Sequence, residues 1–94
     1  MTVLAIRQTV ADYPAWKRGF DEHGATRKHH GATRDQVLQS VDDPNDVLVL
    51  VEFGSPAQAH AFAADPSLKE AMSKAGIVGA PDISFRSRID EVTY

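Results

Sequence analysis

The chain has no cysteine, so its chemistry contains no disulfide framework, zinc–thiolate site or thiol nucleophile. No apolar run approaches the length of a membrane-spanning helix, and the N-terminus lacks the basic-then-apolar build of a signal peptide. The expected setting is therefore the cytoplasm, without a membrane partner. Positive charge is not in excess either. Ten Lys and Arg against thirteen Asp and Glu leave a formal net charge of −3, which excludes a general nucleic-acid binder. At 94 residues and 10.2 kDa the chain is one domain, residues 1–94. Surface scaling lets about 64% of the unfolded surface be buried, a thin core for an unstapled chain.

What is present is clear periodicity. In Thr2–Val10, Leu4, Ile6 and Val10 share one parity while Arg7 and Thr9 take the other, as in a strand with one strongly buried face. Asp12 stands at an N-cap position with Pro14 in the first turn. Tyr13, Trp16, Phe20, His23 and Arg27 then follow at helical spacing, all within about 80° on a wheel of 100° per residue. Gly31 is the expected end of this helix and Gly24 a weak point within it. Asp35–Val41 reads as a second strand with Val37, Gln39 and Val41 on one face, and Asp42-Asp43-Pro44-Asn45 as a tight turn. Val47–Val51 is apolar at every position, which suits a strand covered on both faces. Ser55-Pro56-Ala57-Gln58 opens a second helix as a capping box, and Asp65-Pro66 restarts it. Leu68, Ala71, Met72 and Ala75 face inward there, Glu70 and Lys74 pair outward, and Gly76 ends the segment. Ile83, Phe85 and Ile89 alternate with Ser84, Arg86 and Arg88 in a closing strand.

The order β-α-β-β-α-β is that of a ferredoxin-like split βαβ fold of the α+β class, a four-stranded antiparallel sheet with helices on one face. Helices on one face leave the other side of Val47–Val51 open, and a second copy of the chain is the simplest cover. An RNA-recognition module shares the strand order, but its central strand carries aromatic and basic residues that Val47–Val51 lacks.

Further residues carry a family resemblance over nearly the whole chain. They are Asp12-Tyr13 with Trp16-Lys17, Phe20-Asp21-Glu22-His23 with Arg27 and Gly31, Asp42-Asp43-Pro44-Asn45, Glu52-Phe53 leading into Ser55, and Leu68-Lys69-Glu70-Ala71-Met72 with Ala75-Gly76. Together they resemble the dimeric α+β barrel superfamily, in its antibiotic-biosynthesis-monooxygenase-like branch. The resemblance implies a homodimer with two sheets face to face and a ligand cavity between sheet and helices in each subunit. Relatives include cofactor-free oxygenases of polyketide phenols, polyketide cyclases, lactone isomerases and haem-degrading oxygenases. The haem-degrading pattern is not met. The single tryptophan, Trp16, lies on the first helix, no Asn precedes it in the first strand, and His60 falls on the solvent side of the second helix.

The aromatic-to-titratable stripe is the candidate site. Tyr13, Trp16 and Phe20 would stack on a flat substrate, His23 would move a proton and Arg27 would hold a developing oxyanion. The plainer alternative makes Trp16 and Phe20 core and His23 a hydrogen-bonded histidine at its edge. No histidine pair has the i,i+4 geometry of a helical zinc site, so no metal is expected, and His29, His30 and His60 read as surface residues. Arg86 and Arg88 read as paired charges. The short repeat His23-Gly24-Ala25-Thr26-Arg27 and His30-Gly31-Ala32-Thr33-Arg34 reads as coincidence, its second copy lying in a loop.

The expected function is therefore a cofactor-independent cyclase/isomerase or monooxygenase acting on an aromatic or polyketide-like small molecule. The rival expectation is a non-catalytic ligand-binding or stress-related structural dimer. A cavity of at least roughly 300 Å³ reaching His23 is expected of a ligand site, and a filled interior would sink the enzyme reading.

Overall fold

A computed structural model describes residues 1–94. Strand β1 (Thr2–Val10) leads into helices α1 (Tyr13–Glu22) and α2 (Gly24–His29) and strand β2 (Ala32–Gln39). Strand β3 (Asp46–Phe53), helices α3 (Pro56–Ala63) and α4 (Pro66–Lys74) and strand β4 (Ile77–Ser87) complete the chain. The sheet is antiparallel in the order β2-β3-β1-β4, the ferredoxin-like arrangement expected, with each helical segment split in two. No helix is long and apolar enough to cross a membrane.

Register sorts the strand residues between two faces. Leu4, Ile6 and Gln8 stand opposite Val51, Val49 and Val47, and Val37 opposite Val49. This face joins Trp16, Ala59, Phe62 and Leu68 of the helices in one buried cluster. Val3, Ala5 and Arg7 stand opposite Glu52, Leu50 and Leu48 on the other face, which carries no helix.

The helix boundaries follow their capping chemistry. Ser55 Oγ accepts from Gln58 N at 3.2 Å, while the Gln58 side chain reaches back one residue further than a capping box, accepting from Gly54 N at 3.0 Å. Asp65 Oδ1 accepts from Ser67 N at 2.8 Å and starts α4. Asp12 is extended at the start of α1 but gives no side-chain cap. Gly31 (φ +94°) closes α2 in a left-handed conformation, and a Cβ there would come within 2.5 Å of Gln58 Nε2.

Four expectations are corrected. The first helix breaks at His23, ahead of Gly24, so its stripe is carried by α1 and α2 together. The second strand begins at Ala32 and stops at Gln39, leaving Val41 fully exposed, because the turn starts earlier than its Asp-Asp-Pro-Asn core. The second half of the short repeat therefore enters β2 rather than a loop. The closing strand starts at Ile77 and ends at Ser87, so Ile89 lies beyond it, 94% exposed.

Candidate functional site

Between α1, α4 and the helix-bearing face lies a cavity of about 40 Å³. Trp16, Phe20 and Phe62 form its aromatic walls, Ile6, Val49 and Val51 its floor, and Leu68 and Met72 its α4 side. Trp16 and Phe20 rings stack at 5.1 Å between centroids. Outside it, a groove of about 460 Å³ runs between α1 and α4. Gly19, His23, Ala71 and Ala75 border both, so the two are separated only by a seam of small residues and the His23 ring. The enclosed volume falls well below the roughly 300 Å³ of an open small-molecule site.

Four of the five stripe residues meet at this cavity: Trp16, Phe20, His23 and Arg27. Tyr13 stands a turn earlier against Trp16, with 5.7 Å between ring centroids, and is not part of the lining.

His23 occupies the junction of α1 and α2 and is half-buried. Its Nε2 and Ser67 Oγ of α4 share a hydrogen bond of 3.0 Å, and its ring lies 5.8 Å from Phe62. Burial first, and then the nearby Arg27 charge, hold the imidazole below its ordinary value, so the neutral, proton-accepting form prevails at neutral pH.

Arg27 is buried, with its guanidinium 3.7 Å from the centre of the Phe20 ring. Nε donates to Asp35 Oδ2 at 3.0 Å and Nη1 to the Phe20 carbonyl at 2.8 Å. Asp35 and a backbone carbonyl thus hold its charge already, and only Nη2 remains without a partner.

Of two further groups, the sequence read His30 as a surface residue and did not single out Gln8. His30 is half-buried against Phe62 and donates from Nε2 to Asp65 Oδ2 at 2.7 Å, so it is a structural partner rather than a surface histidine. That bond, with those from Ser67, holds the Asp65 carboxyl at about 2. Gln8 is 6% exposed, lines the cavity, and its Oε1 has no hydrogen-bond partner. The available signal was a polar residue at the core parity of β1, between Ile6 and Val10. His60 is exposed and stacks on Phe85 at 4.0 Å, outside the cavity.

On the open face Glu52 is buried between Arg34, at 3.4 Å, and Arg88, and Arg7 pairs with Asp46 at 2.9 Å. Arg88 is therefore a paired charge, whereas Arg86 bonds only to Ser84.

No family model matches the sequence, and no curated protein matches it. Solved structures do match the fold. SnoaB, a cofactor-independent oxygenase from Streptomyces nogalater, is similar with a TM-score of 0.82 and 13% identity, over 99% of this chain and 97% of that one. A protein from Nitrosomonas europaea classed with antibiotic biosynthesis monooxygenases gives a TM-score of 0.76 and 16% identity, over 96% of this chain and 100% of that one. One from Caulobacter crescentus, classed in the same way, gives 0.73 and 19%, over 95% of this chain and 89% of that one. The chain therefore shares its ferredoxin-like fold with these antibiotic-biosynthesis-monooxygenase structures.

Proposed function

We propose that the chain is a homodimeric α+β barrel that binds a flat aromatic or polyketide-like molecule beneath α1 and α4. It acts on that molecule without a cofactor, as a monooxygenase or a cyclase/isomerase. The observation that carries this reading is an aromatic-walled cavity, divided from an outer groove by His23 and a seam of small residues, holding a neutral imidazole beside unspent polar atoms. His23 would take a proton from a phenol or an activated carbon, while Nη2 of Arg27 donates to the oxygen that gains charge. Similarity to a cofactor-independent oxygenase supports the same chemistry. The small enclosed volume requires the α1–α4 seam to part for a ligand of that size.

Dimer formation is supported by the surface left open. The monomer exposes 6,007 Å², against roughly 5,300 Å² for a compact protein of its mass. Leu38 is 48% exposed and Leu48 and Leu50 are half-buried on the face without helices, and Ile89 and Val92 stand free beyond β4.

Oxygen uptake and product analysis with polycyclic phenols test the enzyme reading. Turnover should be lost in His23→Ala while the dimer survives sedimentation. Unchanged turnover would refute His23 as the base, and loss of folding would return it to a core role. The volume of about 40 Å³ is also what a non-catalytic dimer with a filled interior would show. That second reading gains if no phenol binds at all.

A further inference from the structure

Gln8 is the one buried side chain on the helix-bearing face whose polar atom is left unpaired. An amide oxygen enclosed without a partner carries the full penalty of its desolvation, so a chain that keeps glutamine there gains by supplying a partner from outside. Most donors on the lining are committed elsewhere, with only Nη2 of Arg27 free. His23 Nε2 is bonded to Ser67, and Arg27 spends Nε and Nη1 on Asp35 and the Phe20 carbonyl.

The backbone singles out the same residue. β4 pairs with Arg7 through Asp82 and with Thr9 through Val78, so Gly79, Ala80 and Pro81 bulge away opposite Gln8. Gly79 has φ +75°, and Pro81 has no N–H to offer, so the ladder is interrupted where the amide sits. On the β3 side Gln8 keeps its register opposite Val47. Gln8 thus keeps the core parity of Leu4 and Ile6, while the strand beside it loses its pairing at that point.

The rest of the lining decides what the partner is. Gln8 Oε1 is an acceptor among Ile6, Val49, Val51 and the aromatic walls, with His23 and Arg27 on the same lining. A hydrogen-bond donor carried on an apolar body satisfies the oxygen and fills the remaining space.

We infer that Gln8 is the specificity-determining residue of the cavity: it selects flat ligands that present a hydroxyl donor, phenol or enol, over their ethers. This rests on the small-molecule reading above and deepens it.

The probes are 2-naphthol and 2-methoxynaphthalene, titrated against the full-length protein by calorimetry. Wild type should bind the naphthol about tenfold or more tightly than the methyl ether. Gln8→Leu should bind naphthol and ether equally and should melt no lower than wild type, since it removes an unpaired buried amide. In wild type the Gln8 side-chain amide resonances should shift on addition of naphthol and stay in place with the ether. Equal binding of naphthol and ether by wild type would overturn the role of Gln8 and leave the cavity as an aromatic site. Binding of neither would overturn the cavity reading and this inference with it. If Gln8→Leu does not fold, Gln8→Met carries the same comparison, and a tenfold preference retained there would also refute the assignment.

Discussion

The two faces of the sheet are made from the same strands and are built on opposite terms. Residues of one parity in β3, Val47, Val49 and Val51, are no more than 2% exposed beneath the helices. Their neighbours Leu48 and Leu50 are half-buried on a face whose order comes from ion pairs, Glu52 with Arg34 and Arg88 and Arg7 with Asp46. On the helix side apolar burial is complete within one chain, and the polar groups that remain line a cavity. On the open side the apolar surface is only half removed from water. The difference locates folding on one face and leaves the other, a single residue apart along the strand, as the face on which the proposed dimer would form.

Adjacent substitutions break the comparison most sharply. Val49→Asp places an unpaired carboxylate in the core and should cost more than about 4 kcal/mol, most of the stability of a small domain, so the circular dichroism signal should collapse. Leu50→Asp should keep that signal and its melting transition while sedimentation shifts to the monomer. A dimer that persists in Leu50→Asp would move the interface off this face. Glu52→Gln comes next. It leaves two arginines facing a neutral group, and because both are partly solvated the loss should be about 1–2 kcal/mol in urea unfolding.

A pH series probes the helix side by a different route. His23 is held below 6.5, so the unfolded chain takes up the proton first as pH falls. Stability from this group is whole above about pH 6.5 and declines below it. Asp65 follows in more acid solution, its contribution present above 3.8 and lost as pH falls toward about 2. The urea midpoint should fall in two stages, and His23→Gln should remove the first. The smallest effect belongs to the solvent-side pair Glu70–Lys74, at 3.0 Å on α4: Lys74→Ala should change stability by less than about 0.5 kcal/mol.

Much of this was readable before any coordinates. The parity of Leu4, Ile6 and Val10, the caps at Ser55 and Asp65, and the glycines closing α2 and α4 are local signals, and local chemistry decided them. The meeting of Trp16, Phe20, His23 and Arg27 followed from helical spacing, which the break at His23 did not disturb. What was hidden depends on pairs far apart in sequence. Ala32–Arg34 joins β2 because β3 offers a partner strand, not because the residues favour extension. β4 starts at Ile77 because β1 tolerates a bulge, although Gly79 and Pro81 look like a turn. The bond of His30 to Asp65 spans 35 positions, and no periodicity encodes it. Gln8 was visible as a breach of pattern in β1, yet its meaning depends on the cavity that surrounds it.

The interruption at Gly79-Ala80-Pro81 has a consequence for how copies of the chain can meet. β4 is an edge strand, and an unbroken edge of 11 residues would invite another strand to continue the sheet. A proline and a left-handed glycine in the middle of that edge deny a newcomer a continuous ladder of donors and acceptors. Growth sideways into an open-ended ribbon is thereby discouraged, and the stacking of one sheet on another, which closes after two copies, is left as the favoured route.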